Sequence, residues 1–226
     1  WRTNLQEHLV LRKWCETDID FFVGGGQRYF DYREFDQRDL VRELRTKGYS
    51  VGSFLNSNLS GQKMNTEKNF AFFTANADPL TVTQGRTYLP YASKMATTFL
   101  SKKSDKGFFL MVEGSQIDWG GHDNDSKYII NEMKDFDQTL KKVLDFAEED
   151  GETLVIITAD HETGGYSIID GDLDGKKLTG GFSTKSHSAS MIPVFAYGNG
   201  AEAFAGIYEN TEIFYKMMEA FNFSID

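Results

Sequence analysis

The sequence predicts a layered α/β fold with a mostly parallel sheet, because apolar strands alternate with amphipathic helices along the chain. Three runs are almost continuously apolar and end at glycine or polar residues, as is typical of strands covered on both faces. These runs are Gly107–Glu113, Thr153–Thr158 and Met191–Tyr197. Asp20–Val23, which precedes three consecutive glycines, and Tyr49–Phe54 are two further candidate strands.

The clearest helical pattern covers Asp125 to Glu149, where apolar residues recur every three or four positions from Ile129 to Ala147. Gly151 follows the last of them, so we expect the helix to end there. Shorter helices are predicted over Arg38–Lys47, Tyr91–Lys102 and Glu209–Phe221.

Length and composition limit the classes of protein that remain possible. With 226 residues the chain is one large domain or part of one, and 24 basic minus 34 acidic residues give a net charge of −10. That charge argues against nonspecific nucleic-acid binding, which needs a basic face. The single cysteine, Cys15, excludes an internal disulfide framework, and no apolar run approaches the roughly 20 residues of a membrane span. Because the sequence begins at Trp1, we expect it to be a piece of a longer protein, whose targeting segment would lie before it.

Three of the four histidines lie just after a predicted strand or in a polar loop, where α/β proteins bind ligands. In the first cluster Glu113 ends a strand, and Asp118 and His122 follow it. If this stretch is helical, Asp118 and His122 share a face and both can reach one cation. The alternative is that the acidic residues only favour the N-terminus of a helix.

The second cluster is Asp160 with His161, directly after the strand Thr153–Thr158, and the third is His187, in a glycine- and serine-rich loop. Each could by itself be an ordinary turn. Together, Asp118, His122 and His187 form a set of three protein ligands, the pattern of a catalytic zinc site with one open position. Asp160 and His161 supply two ligands of a second site, and the Glu113 carboxylate suits a harder ion such as Mg²⁺.

Five segments resemble the alkaline phosphatase family, in the family's order, from about Asp18 to the C-terminus. They read IDFFVGGGQRYF, FFLMVEG, IDWGGHDND, TADHETGG and STKSHSASMIPVFAYG. The resemblance implies an α/β/α sandwich, of which residues 1–226 would be the C-terminal portion of a single, incomplete domain.

The resemblance also implies a metal centre with Zn²⁺ and Mg²⁺. Asp118, His122 and His187 would bind the first zinc, Asp160 and His161 part of the second, and Glu113 the magnesium. The serine or threonine nucleophile belongs to the family's N-terminal part, so we expect no catalytic nucleophile in this chain and an inactive fragment. Trp119 departs from the family, which often has His or Lys there, and it cannot contact phosphate as a cation.

The function implied is hydrolysis of phosphate monoesters through a phosphoenzyme, in an exported (periplasmic or secreted) homodimer. The alternatives are a related metallo-phosphodiesterase, sulfatase or phosphomutase, or a non-catalytic metal-binding fragment. Two other motifs carry no such function: Asp170–Gly175 imitates the start of an EF-hand but is better explained as a hairpin turn, and the triple glycine lacks dinucleotide-binding spacing.

Overall fold

The computed structural model describes residues 19–33 and 36–224, so Cys15 lies outside the described part. The chain divides after Val112 into two compact units. The expectation that both belong to a single domain stays a prediction.

The first unit is built on a parallel three-stranded sheet with the order β1-β3-β2. The predicted strands near Asp20 and Tyr49 are confirmed as β1 and β2. The predicted helices over 38–47 and 91–102 are confirmed as α2 and α3. The elements are β1 (Phe21–Gly24), α1 (Arg28–Asp31), α2 (Leu40–Thr46), β2 (Ser50–Ser53), β3 (Phe70–Phe73) and α3 (Leu89–Lys103), with 3₁₀ turns at Leu59–Gly61 and Val82–Gln84.

Both faces of this sheet are covered, which confirms the layered α/β arrangement. Side chains alternate along the fully buried β3: Ala71 and Phe73 pack with residues of α1 and α2. Phe70 and Phe72 pack on the opposite face with residues of α3, including Phe99. The sheet is therefore the middle of three layers in this unit.

The predicted strand Gly107–Glu113 is wrong, because the segment forms no strand within the described residues. Its side chains nevertheless alternate. Phe108 and Leu110 pack against the α3 side of the core, whereas Phe109 and Met111 are exposed. Apolar content alone does not make a strand, since a strand also needs a neighbour that pairs with its backbone groups.

An ion pair before α2 provides a test of local electrostatics. Arg33 donates two hydrogen bonds to the Asp36 carboxylate, from Nε at 2.7 Å and Nη2 at 2.6 Å. These bonds, helped by the Arg38 N–H, lower the pKa of Asp36 from the usual 3.8 to about 2. Because the folded-state pKa is lowered, the stability this pair contributes is present above about pH 3.8 and is lost as the pH falls through about 2.

We expect Arg33→Gln to raise the pKa of Asp36 towards 3.8, because the bidentate donor is removed. An NMR titration of the Asp36 carboxyl measures this shift, with Arg45→Gln on the exposed side of α2 as the control. An unchanged pKa near 2 in Arg33→Gln would show that the pair does not set it.

The second unit has helices packed beside short antiparallel strand pairs. The pairs are β4 with β9, β5 with β8 and β6 with β7. The elements are α4 (Gln116–Asp123), α5 (Ser126–Asp150), β4 (Val155–Ile157), β5 (Glu162–Thr163), β6 (Ser167–Asp172), β7 (Lys177–Gly181), β8 (His187–Ser188), β9 (Phe195–Tyr197) and α6 (Glu212–Ala220), with a 3₁₀ turn at Ala201–Phe204.

The long helix α5 matches its prediction at both ends. The Asp125 side chain accepts hydrogen bonds from the N–H groups of Lys127 and Tyr128, which caps the N-terminus. Gly151 adopts φ +75° and ends the helix in the left-handed conformation that glycine favours. The predicted helix at 209–221 is also confirmed, as α6.

The strand predictions in this unit are confirmed with two differences. β4 and β9 lie within their predicted runs but pair antiparallel, not parallel. β9 begins only at Phe195, and Pro193 just before it has no N–H to donate to a ladder. The hairpin turn predicted at Asp170–Gly175 is confirmed, because it joins β6 to β7.

None of the helices in the described part of the chain combines the length and the apolar character that a membrane crossing requires.

Candidate metal centre

Helix α4 brings two predicted ligands onto one face. Asp118 and His122 are one helical turn apart, and Asp118 Oδ1 lies 3.3 Å from His122 Nε2. The helical spacing predicted for this stretch is therefore confirmed. Left-handed Asn124 (φ 55°) ends α4, and Asp125 then caps the N-terminus of α5.

The short strands β5 and β8 add histidines to the same place. His187, in β8, has its Nε2 3.6 Å from Asp118 Oδ1. His161, next to β5, stacks on His187 with 3.5 Å between ring centroids. One ligand atom each from Asp118, His161 and His187 lie within 4.8 Å of one another. Three residues distant in sequence thus converge on a point that one cation could occupy.

The hydrogen bonds of two histidines near this point fix which ring nitrogen carries the proton. His122 Nδ1 lies 2.6 Å from the Lys185 carbonyl oxygen, which can only accept, so Nδ1 carries the proton. The Thr163 hydroxyl donates to Asp118 Oδ1 at 2.6 Å. Its oxygen, 3.2 Å from His161 Nδ1, must therefore accept from that nitrogen. In a neutral ring, each Nε2 then presents a lone pair.

Those lone pairs face carboxylate oxygens, which are also acceptors. His122 Nε2 is 3.3 Å from Asp118 Oδ1, and His161 Nε2 is 3.1 Å from Asp160 Oδ2. Acceptors this close need a proton or a cation between them. The donor set therefore fits a bound metal ion.

Glycines allow α4 to lie directly against β5. A Cβ on Gly121 would be 2.6 Å from the Thr163 carbonyl oxygen, and one on Gly164 would be 2.9 Å from the Gly121 carbonyl oxygen. Gly164 also has φ +93°, a conformation that L side chains rarely adopt. This close contact keeps Asp118 within hydrogen-bonding distance of Thr163.

Glu162, between His161 and Thr163, has three hydrogen-bond donors. Its carboxylate accepts from the Gly165 and Tyr166 N–H groups, each at 3.0 Å, and from the Ser188 hydroxyl. Burial alone would raise the pKa of Glu162. The bonds from Ser188, Tyr166 and Gly165, together with nearby His161, outweigh that effect and lower it.

The remaining predicted ligands lie at the margin of this cluster or outside it. Asp160 is mostly exposed, and Glu113 is an exposed residue three positions before α4. The converging group holds His161, which was assigned to the second zinc, and lacks His122, which was assigned to the first. The division of ligands between two zinc ions stays a prediction.

Sequence reasoning missed three residues that contact the candidate ligands or hold the chain next to them. Thr163 and Glu162 lie inside the segment TADHETGG, so proximity to Asp160 and His161 was the available signal. The third, Lys185, acts through its backbone carbonyl, for which residue type gives no signal.

A carboxylate and two imidazole groups that converge in this way are the donor set of a metal-binding protein. The sequence model of the family described as Alkaline phosphatase matches residues 3–179 and 175–223. The chain therefore belongs to the alkaline phosphatase family, which is metal-dependent.

Named relatives agree with this assignment. Alkaline phosphatase 3 of Bacillus subtilis is 31% identical over 92% of this chain and 59% of its own length. The solved alkaline phosphatase of the Antarctic bacterium TAB5 is 40% identical, with a TM-score of 0.87 over 98% of this chain and 66% of that one. A variant of the TAB5 enzyme, TM-score 0.86, was solved with Mg bound in its M3 site. The chain thus spans 54 to 59% of the length of the first curated relatives it matches.

Proposed function

We propose that this chain carries the metal centre of a phosphate monoester hydrolase, an alkaline phosphatase. The observation that carries the proposal is the convergence of Asp118, His161 and His187, whose ligand atoms lie within 4.8 Å of one another. The family and the names of its relatives favour monoesters over the diester, sulfate-ester and mutase alternatives.

Zinc and magnesium are the ions we propose. Two imidazole nitrogens and one carboxylate oxygen suit zinc, which takes three protein ligands in catalytic sites. Asp118, His122 and His187 would hold one zinc, and Asp160 with His161 part of another. Glu113 would serve magnesium, which prefers oxygen ligands, and the magnesium-bound TAB5 variant supports that ion.

The residues of this chain contribute by holding and orienting ligands. The Lys185 carbonyl keeps the proton of His122 on Nδ1, and Thr163 does the same for His161 while fixing Asp118 through its hydroxyl. When bound, the ions supply Lewis-acid stabilisation of charge on the entering and leaving oxygens and activate the nucleophile at neutral or alkaline pH. The nucleophile is a hydroxyl that we assign to no residue of this chain.

The metal charges also bear on substrate attraction. A protein with net charge −10 repels a phosphate dianion, whereas bound divalent ions dominate the field close to the site. A homodimer in the periplasm or outside the cell completes the proposal, and both of these features are supported by family membership alone.

The first test measures the zinc bound by the purified chain, by equilibrium dialysis and elemental analysis, beside His187→Ala. We expect at least one tightly held zinc in the wild type and its loss in the variant, because His187 belongs to the converging group. No zinc in the wild type would refute the metal centre in this chain.

The second test compares hydrolysis of p-nitrophenyl phosphate with that of bis(p-nitrophenyl) phosphate by the complete protein and by this chain. We expect the complete protein to prefer the monoester and the chain alone to be inactive. Preference for the diester would refute the proposed substrate class.

A further inference from the structure

We infer that Glu162 is a positioning residue of the metal centre, acting through Ser188 to hold His187 opposite Asp118 and His161. The inference rests on the proposed function in one respect only, namely that His187 binds a metal ion.

The strand pair that carries His187 is very short. β5 and β8 pair over two residues, with Glu162 opposite Ser188 and Thr163 opposite His187. So short a ladder fixes its register weakly, and a slip of one residue would turn His187 to the other face. Other contacts must therefore hold the register.

Backbone hydrogen bonds outside the two-residue ladder tie the loop before His187 to the turn after β5. The Gly164 N–H donates to the Ser186 carbonyl at 2.9 Å, and the Gly164 carbonyl accepts from the N–H groups of Ser183 and Thr184. On the other side of His187 the ladder ends at Ser188, so a further contact there would secure the register.

Glu162 supplies that contact from its side chain. One carboxylate oxygen, Oε2, accepts from both the Gly165 N–H and the Ser188 hydroxyl, and Oε1 accepts from the Tyr166 N–H. The group thus joins the turn after β5 to the residue directly after His187. Ser190 Oγ lies 3.1 Å from Ser188 Oγ. Because Ser188 donates its single hydroxyl proton to Glu162, the Ser190 hydroxyl can donate to Ser188 Oγ.

The geometry specifies a carboxylate. Glutamine has the same shape but only one acceptor oxygen, so its NH₂ group would face either the Tyr166 N–H or the pair formed by Gly165 and Ser188. At least one donor then loses its partner, which loosens the link between the turn and β8.

The experiment compares Glu162→Gln, Ser188→Ala and the double variant with the wild-type chain. Zinc affinity is measured by competition titration, and coordination geometry by the visible spectrum of the Co²⁺-substituted chain. We expect each single variant to lose about tenfold or more in zinc affinity, as residues supporting metal ligands commonly do. The double variant should lose little more, because both changes break one link. The cobalt spectrum should change as well.

Two controls separate positioning from general stability. Glu152→Gln removes an exposed carboxylate elsewhere in the second unit, and Ala147→Gly weakens α5 at a buried position away from the strand pair. Ala147→Gly should lower the urea midpoint of unfolding and leave the zinc affinity and cobalt spectrum unchanged. If Glu162→Gln also lowers only the urea midpoint, the residue is structural and the inference is overturned.

A metal-free readout keeps this test independent of the proposed function. Amide hydrogen exchange over residues 186–190 in the apo chain should speed up in Glu162→Gln and not in Glu152→Gln. If the wild type binds no zinc, the metal centre fails while the exchange result still decides the role of Glu162. Unchanged exchange in Glu162→Gln would overturn the inference whether or not zinc binds.

Discussion

Replacing Asp118 by asparagine should lower the zinc affinity of the chain by more than about 100-fold, beyond the usual loss for a supporting residue. Asp118 Oδ1 faces His122 Nε2 at 3.3 Å and His187 Nε2 at 3.6 Å, so we propose it as the anionic ligand that both histidines share. Asparagine keeps the shape and an oxygen that accepts from Thr163, but it removes the charge that balances a divalent ion.

Isothermal titration with zinc measures this loss, and urea unfolding of the apo chain checks that the fold persists. Asp123→Asn is the matched control, since Asp123 is an exposed carboxylate on the same helix and outside the converging group. Equal zinc affinities for the two variants would remove Asp118 from the site.

Gly121→Ala should be the most damaging small substitution at the site. Its Cβ would lie 2.6 Å from the Thr163 carbonyl oxygen, which is backbone and cannot turn aside, so α4 and β5 must separate. We expect a loss of about 1–3 kcal/mol in the free energy of unfolding, typical of overpacking. The hydrogen bond from Thr163 to Asp118, 2.6 Å long, should lengthen, and zinc affinity should fall by about 10- to 100-fold.

Gly61→Ala is the control for this change, because a Cβ there meets nothing within 4 Å. Zinc titration and urea unfolding are compared for both variants and the wild type. Should Gly121→Ala bind zinc as tightly as Gly61→Ala does, the close approach of α4 to β5 would not set the ligand distances.

The sequence predicts α5 well because its information is local. A capping aspartate, an apolar stripe and a terminal glycine lie within one continuous segment, so no distant contact is needed to define the helix. The spacing of Asp118 and His122 is local in the same way, and it correctly predicted that the two side chains lie together on one face of a helix.

The central strand of the first unit shows where local information ends. β3 has only four residues, Phe70–Phe73, follows a polar stretch and is apolar on both faces, so it has no period-two pattern. Gly107–Glu113 has more apolar character and forms no strand. The two segments differ in whether a neighbouring strand pairs with them, and that depends on the tertiary structure.

The candidate ligands could be proposed from sequence, whereas their grouping in space could not. Placing His161 beside His187 requires the pairing of β5 with β8, which joins residues about 25 positions apart. The contact of Glu162 with Ser188 depends on the same pairing, and that of Thr163 with Asp118 depends on the packing of α4 against β5, so both became visible only in the folded chain.

The contact between His122 and Lys185 bears on which amino acids position 185 can hold. The group that orients the imidazole is a main-chain carbonyl, which every amino acid possesses. We therefore expect many residue types at position 185 to keep this main-chain contact with His122. We expect mutational scanning to find position 185 tolerant, provided that the substitution leaves the path of the main chain unchanged.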